Sequence, residues 1–205
     1  MTTGDLTVVG HYHRPIDASI ERMRENALDW EHLPHLHASS FSSIACLDAG
    51  PWGFRAEVGL QPVGDQILLE LLLDRDTNRW VSRVLDGPGA GNEIWTVATP
   101  TGARTCAVDV EFHLAGVRPE TADRLGTRYV ALYTQLYDED ESMMVGRQRY
   151  LDRAFTEVRC PHRGGPLQPC ADDPALLQCP WHGYRYDAVT GACLDDPRLR
   201  VPLPG

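Results

Sequence analysis

Cys160-Pro161-His162-Arg163-Gly164-Gly165 and its echo Cys179-Pro180-Trp181-His182-Gly183-Tyr184 are the stretches around which the chain is organised. Each places one Cys and one His a few residues apart, beside glycines that let the backbone fold tightly over something. A Cys-x-His loop and a Cys-x-x-His loop together supply two thiolates and two imidazoles. That set suits two metal ions of unequal taste, one taking sulfur and the other nitrogen. A Cys2His2 zinc site is the alternative, although zinc sites usually space Cys with Cys and His with His, whereas here each loop mixes them.

Read at greater length, the first loop continues to Pro166-Leu167. The second continues through Arg185-Tyr186-Asp187 to Thr190-Gly191-Ala192-Cys193. The whole pattern closely resembles the Rieske motif of the Rieske non-haem iron oxygenase family. The resemblance implies a [2Fe-2S] cluster with Cys160, His162, Cys179 and His182 as ligands, two His replacing two Cys on one iron. In respiratory-type Rieske proteins each loop carries an extra Cys, and the two form a disulfide. The corresponding positions here are Gly165 and Trp181, so no such bridge is expected, and a lower potential with it.

A second run, Asn26-x-x-Asp29-x-x-His32-Leu33-Pro34-x-x-His37, resembles the stretch that carries the mononuclear iron in the same family. The resemblance implies His32 and His37 as ligands of a non-haem Fe(II). It makes Asp29 the carboxylate that joins a ligand His to a cluster His by accepting hydrogen bonds from both imidazoles. Such a site needs two His and one carboxylate on one face of the metal, leaving open positions for O2. Candidate carboxylates lie in Asp138-Glu139-Asp140-Glu141. At about 100° per residue, Asp140 shares the stripe of Tyr129, Tyr133 and Leu136. Asp138 points roughly the opposite way, Glu141 falls off the stripe and Glu139 sits near its edge. A buried Asp needs a partner, and Asp140 is the expected ligand. His11, His13 and His113 have no metal spacing and read as surface or pocket-lining residues.

The remaining pattern predicts an α+β fold. Thr7 to Arg14 reads as a strand. Asp17 is a candidate N-cap for a helix from Ala18 to Leu33, which Pro34 should end. Strands follow over 54–60, 67–73, 80–85, 92–99 and 106–114, the first and last with period-two alternation and 67–73 apolar on both faces. Pro119 opens a long helix to about Tyr150. This order suggests an antiparallel meander. With the resemblance, it implies a START-like helix-grip domain over 1–151, followed by a small, truncated Rieske domain over 152–205. In the family the cluster domain comes first, so the order here is inverted. The last fifty residues hold hardly any core-forming run and should depend on the cluster as a staple.

The chain has 205 residues and a net charge of -10, which argues against a nucleic-acid partner. Its longest apolar run, Ile67 to Leu73, is too short to span a membrane. Cys46, Cys106, Cys170 and Cys193 show no disulfide framework, and a cytoplasmic protein is expected. The resemblance further implies a ferredoxin or flavin reductase as electron donor, O2 and a small apolar organic substrate, and a homo-oligomer in which electrons cross between subunits. An electron-transfer protein whose helix-grip domain only binds a ligand or partner is the other reading.

Overall fold

The computed structural model describes residues 6–202. Strand β1 (Leu6–Ile16) leads into helix α1 (Ile20–Leu28), a 3-10 turn (Trp30–His32) and the one-turn helix α2 (Leu33–Leu36). Six strands follow: β2 (Phe41–Gly50), β3 (Gly53–Leu60), β4 (Gln66–Asp74), β5 (Arg79–Asp86), β6 (Glu93–Pro100) and β7 (Cys106–Ala115). They form one antiparallel sheet in the order β1-β7-β6-β5-β4-β3-β2, so the short helical segment carries the chain from one sheet edge to the other. Helix α3 (Pro119–Leu151) lies along the inner face. Pro119 sits in its first turn, where the missing N–H is no loss. No helix among the described residues is long and apolar enough to cross a membrane.

Period-two alternation puts Val108, Val110 and Phe112 of β7 inward, with Ala56 and Val58 of β3; α3 answers with Tyr137 and Met144. Tyr12, Phe112, Tyr129, Tyr133 and Tyr137 form a connected aromatic cluster between sheet and helix, with Tyr12 and Tyr137 stacked at 5.8 Å. The grip is tightest where α3 crosses β1. A Cβ on Gly126 would lie 2.0 Å from the Val9 carbonyl oxygen. Gly126→Ala should gain about 1 kcal/mol of helix propensity, yet the overlap is with backbone and forces β1 and α3 apart. We expect a net destabilisation of about 1–3 kcal/mol, read as a thermal midpoint lowered by several degrees. An unchanged midpoint would show that this crossing is looser than described.

The helix expected over 18–33 is corrected in three places. Its cap is Ser19, whose hydroxyl accepts from the Arg22 N–H, while Asp17 lies upstream and takes its own backbone bond to Glu141. It stops at Leu28, because Asp29 adopts φ -88°, ψ 74°. Pro34 does not end it but falls in the first turn of α2. Strand β2 was not expected. It is an edge strand with little buried surface, so no clean alternation marks it.

Beyond α3 come three very short strands, β8 (Gln168–Pro169), β9 (Leu176–Gln178) and β10 (Arg185–Asp187). They surround a second core of Cys160, Cys179, Trp181, Tyr186, Cys193 and Val201, to which α3 contributes Met143. A Cβ on Gly146 would meet the Trp181 ring at 2.9 Å, so the end of α3 is the floor on which this small core rests. All six cysteines are free.

Candidate metal centres

The two Cys-His loops fold alike. The Gly164 N–H donates to the Cys160 carbonyl and the Gly183 N–H to the Cys179 carbonyl, both at 2.8 Å. The Cys160 and Cys179 N–H groups donate to the carbonyls of Gly165 and Tyr184, both at 2.9 Å. Each turn closes on a glycine of positive φ, +82° at Gly164 and +71° at Gly183, a conformation other residues adopt only under strain. The loops bring together two fully buried thiols and two imidazoles whose centroids are 4.6 Å apart. Gly165 leaves no room to spare, since a Cβ there would lie 2.6 Å from the Cys179 sulfur.

The electrostatics suit metal ligands. The Cys160 thiol is pushed down to about 6, first by the Cys179 thiol and then by the Tyr186 hydroxyl at 3.1 Å, against the effect of burial. Cys179 moves up as its neighbour takes the charge. Burial, with the nearby His182 and Arg163, lowers His162 to about 4, which keeps the imidazole neutral. The Nδ1 atoms of His162 and His182 are both buried without a partner. Unpartnered buried nitrogens beside buried thiols are what a two-iron cluster would satisfy.

His182 is turned toward the rest of the molecule. Its Nε2–H donates to Asp29 Oδ2 at 2.9 Å, and this fixes the tautomer that leaves Nδ1 with a lone pair. The bond reaches from the second loop to the end of α1 within one chain. Arg163 approaches the same oxygen at 3.2 Å and also donates to Glu25 at 2.5 Å. Burial pushes the Asp29 carboxyl up, but the bond and charge of His182, with His32 and Arg163, hold it below the usual carboxylate value. The bend at Asp29 is the local result: the residue leaves the helix to meet these partners.

A second group is formed by His32, His37 and Asp140, and His32 also acts on the Asp29 carboxyl through its charge. One potential ligand atom from each lies within 4.8 Å of the others, and all three residues are buried. His32 comes from the 3-10 turn, His37 caps α2, and Asp140 projects inward from α3. His37 Nε2 is 3.1 Å from Asp140 Oδ1 and His32 Nε2 is 3.4 Å from it. Asn26 donates to the same oxygen at 2.9 Å. Burial raises the Asp140 carboxyl, yet both imidazoles hold it well below the carboxylate range. A carboxylate and two imidazoles converging in this way fit a non-haem Fe(II). His32 Nδ1 is buried without a partner, so the expected bridge through Asp29 is formed on its His182 side only.

Several residues were missed or assigned loosely. Glu139, placed by helical phase near the stripe's edge, accepts from His37 Nδ1–H at 2.6 Å. Glu25, which gathers Arg22, Arg147 and Arg163, carried no signal. His11 and His13 are exposed on β1 beside Glu111 and Asp109. His113 is buried against Trp95, with ring centroids 4.1 Å apart. An open groove passes the second loop, lined by Trp30, Glu31, His35, Gly183, Tyr184 and Asp195.

The family model of the Rieske [2Fe-2S] domain matches residues 119–203. No curated protein matches the chain by sequence. Among solved structures, norcoclaurine synthase from Thalictrum flavum is 16% identical with a TM-score of 0.56, covering 72% of this chain and 99% of its own. A START superfamily protein from Mycobacterium smegmatis is 13% identical with a TM-score of 0.54, covering 65% and 94%. The Zhui aromatase/cyclase from Streptomyces sp. R1128 is 13% identical with a TM-score of 0.53, covering 69% and 95%. At these identities the likeness is one of fold. The chain thus carries a Rieske [2Fe-2S] domain match in its C-terminal part, together with a mixed α+β body whose structural neighbours are START-like.

Proposed function

We propose that the protein is a Rieske-type non-haem iron oxygenase, receiving electrons from a ferredoxin or flavin reductase and oxidising a small apolar organic substrate with O2. The observation that supports this most is that Asp29 holds His182 at 2.9 Å while His32, His37 and Asp140 converge beside it, all in one chain. Cys160, His162, Cys179 and His182 would hold the [2Fe-2S] cluster, and His32, His37 and Asp140 a mononuclear Fe(II); the first supplies one-electron transfer, the second O2 activation.

The chain's own residues have separable tasks. Asp29 orients His182 and keeps its proton on Nε2. Arg163 keeps Asp29 ionised and ties the first loop to Glu25. Asn26 fixes the Asp140 carboxylate by donating to it. Tyr133 and Tyr137 pack into the core on the buried side of α3, the helix that carries Asp140. Structural neighbours include a synthase and an aromatase/cyclase, so a body of this fold can serve catalysis. The donor would approach along the groove past Gly183 and Tyr184.

The expected homo-oligomer rested on transfer between subunits. The Asp29–His182 bond supplies the cluster half of such a link inside one copy, without a bond from Asp29 to His32 Nδ1. This reading takes residues 1–151 as the catalytic part and 152–205 as the cluster part, in inverted order. A Rieske electron-transfer protein is the second reading, favoured by the way stacked Tyr12 and Tyr137 occupy the space between sheet and α3.

One experiment separates them. Protein with a reduced cluster and Fe(II) in the second site is mixed with oxygenated buffer, and cluster reoxidation is followed by absorbance. The oxygenase reading expects fast reoxidation that requires the added Fe(II) and whose rate constant does not change with protein concentration. Equal rates with and without Fe(II) would favour the carrier. A rate constant rising with concentration would place the transfer between copies.

A further inference from the structure

We infer that Glu139 is the positioning residue of the mononuclear site, acting on the metal through His37. This rests on the reading of His32, His37 and Asp140 as a metal site. His37 is held at both ring nitrogens by neighbouring residues of α3: Nδ1 lies 2.6 Å from Glu139 Oε2 and Nε2 lies 3.1 Å from Asp140 Oδ1. With the ring 2% exposed, the two contacts leave it one orientation. A carboxylate at Nδ1 fixes the proton there and directs the Nε2 lone pair to the position shared with Asp140 and His32. Glu139 is itself held. The Gln135 side-chain amide donates to Glu139 Oε1 at 3.3 Å and to the Ser39 hydroxyl at 2.6 Å, so α3 grips the His37 loop at two successive levels.

The two histidines of the site are therefore unequal. His37 has a carboxylate on its outer nitrogen, and His32 Nδ1 has no partner. A carboxylate behind an imidazole raises its basicity as a ligand, so His37 is the stronger donor and the one on which metal retention depends.

The test is titration of cluster-loaded protein with Co(II), followed by its visible absorption, for the wild type, Glu139→Gln and Glu139→Leu. Gln keeps an acceptor for the Nδ1 proton but loses the charge, whereas Leu loses both. We expect Co(II) to bind Glu139→Leu about 10–100-fold more weakly than wild type, with Glu139→Gln between them. Cluster absorption should be unchanged in all three, which reports intact folding around Asp29 and His182. Equal affinity across the series would overturn the inference. Failure of the wild type to bind Co(II) at all would instead overturn the metal site on which it rests.

Discussion

Replacing Asp29 by Ala should yield a protein with its cluster intact and its second site disconnected. The substitution removes the acceptor of the His182 Nε2–H and one partner of Arg163, and leaves Cys160, His162, Cys179 and His182 in place. His182 then loses its fixed orientation. Cluster-to-iron transfer should fall by at least about 10²-fold, the scale of loss that follows small misplacements of reacting groups. Breaking a buried charge cluster also costs stability, about 3–5 kcal/mol where one partner is left without the other. Here Arg163 keeps Glu25, which should moderate that loss. Asp29→Asn retains an acceptor for His182 and should fall between Ala and wild type. The measurement is the reoxidation rate of the reduced, Fe(II)-loaded protein, with the cluster absorption spectrum as control. Wild-type rates in both variants would remove Asp29 from the electron path.

Cys160→Ser should have the larger structural effect, because it removes a proposed cluster ligand from a segment with little buried surface of its own. The strands beyond α3 are only two or three residues long, and the core around them counts Cys160 and Cys179 among its few fully buried side chains. Metal binding to such small units is inseparable from their folding, with apparent energies of about 10–16 kcal/mol for structural zinc. The variant should contain no acid-labile sulfide. Brief proteolysis should cut beyond Leu151 while leaving the sheet and α3 intact. Sulfide-free protein that resists cleavage there would mean that contacts with α3, such as Trp181 against Gly146, suffice without the cluster.

Much of this arrangement is legible in the sequence, and the exceptions share a cause. The alternation over 106–114 and the phase of α3 are local properties, so β7 and the inward position of Asp140 follow from them directly. The two Cys-His loops are equally local. The bend at Asp29 is not, because its partner His182 lies 153 residues away. A helix drawn through Asp29 was the natural expectation from neighbours alone. Glu139 escaped for a related reason: a residue at the edge of a stripe is assigned by what it faces, and the His37 loop cannot be placed by periodicity. Strand β2 left no signal because an edge strand buries too little to impose alternation. The contact of Asp29 with His182 within one chain is the furthest from the sequence. It depends on α1 and the cluster loops meeting at the end of α3, and the inverted order suggested a partner chain instead.

The most direct measurement is the content of iron and acid-labile sulfide per chain in protein purified without oxygen and then incubated with Fe(II). The account predicts about three iron to two sulfide, one [2Fe-2S] cluster and one mononuclear iron, with His32→Ala or Asp140→Ala returning the ratio to about two to two. A wild-type ratio of about two to two after Fe(II) addition would contradict it.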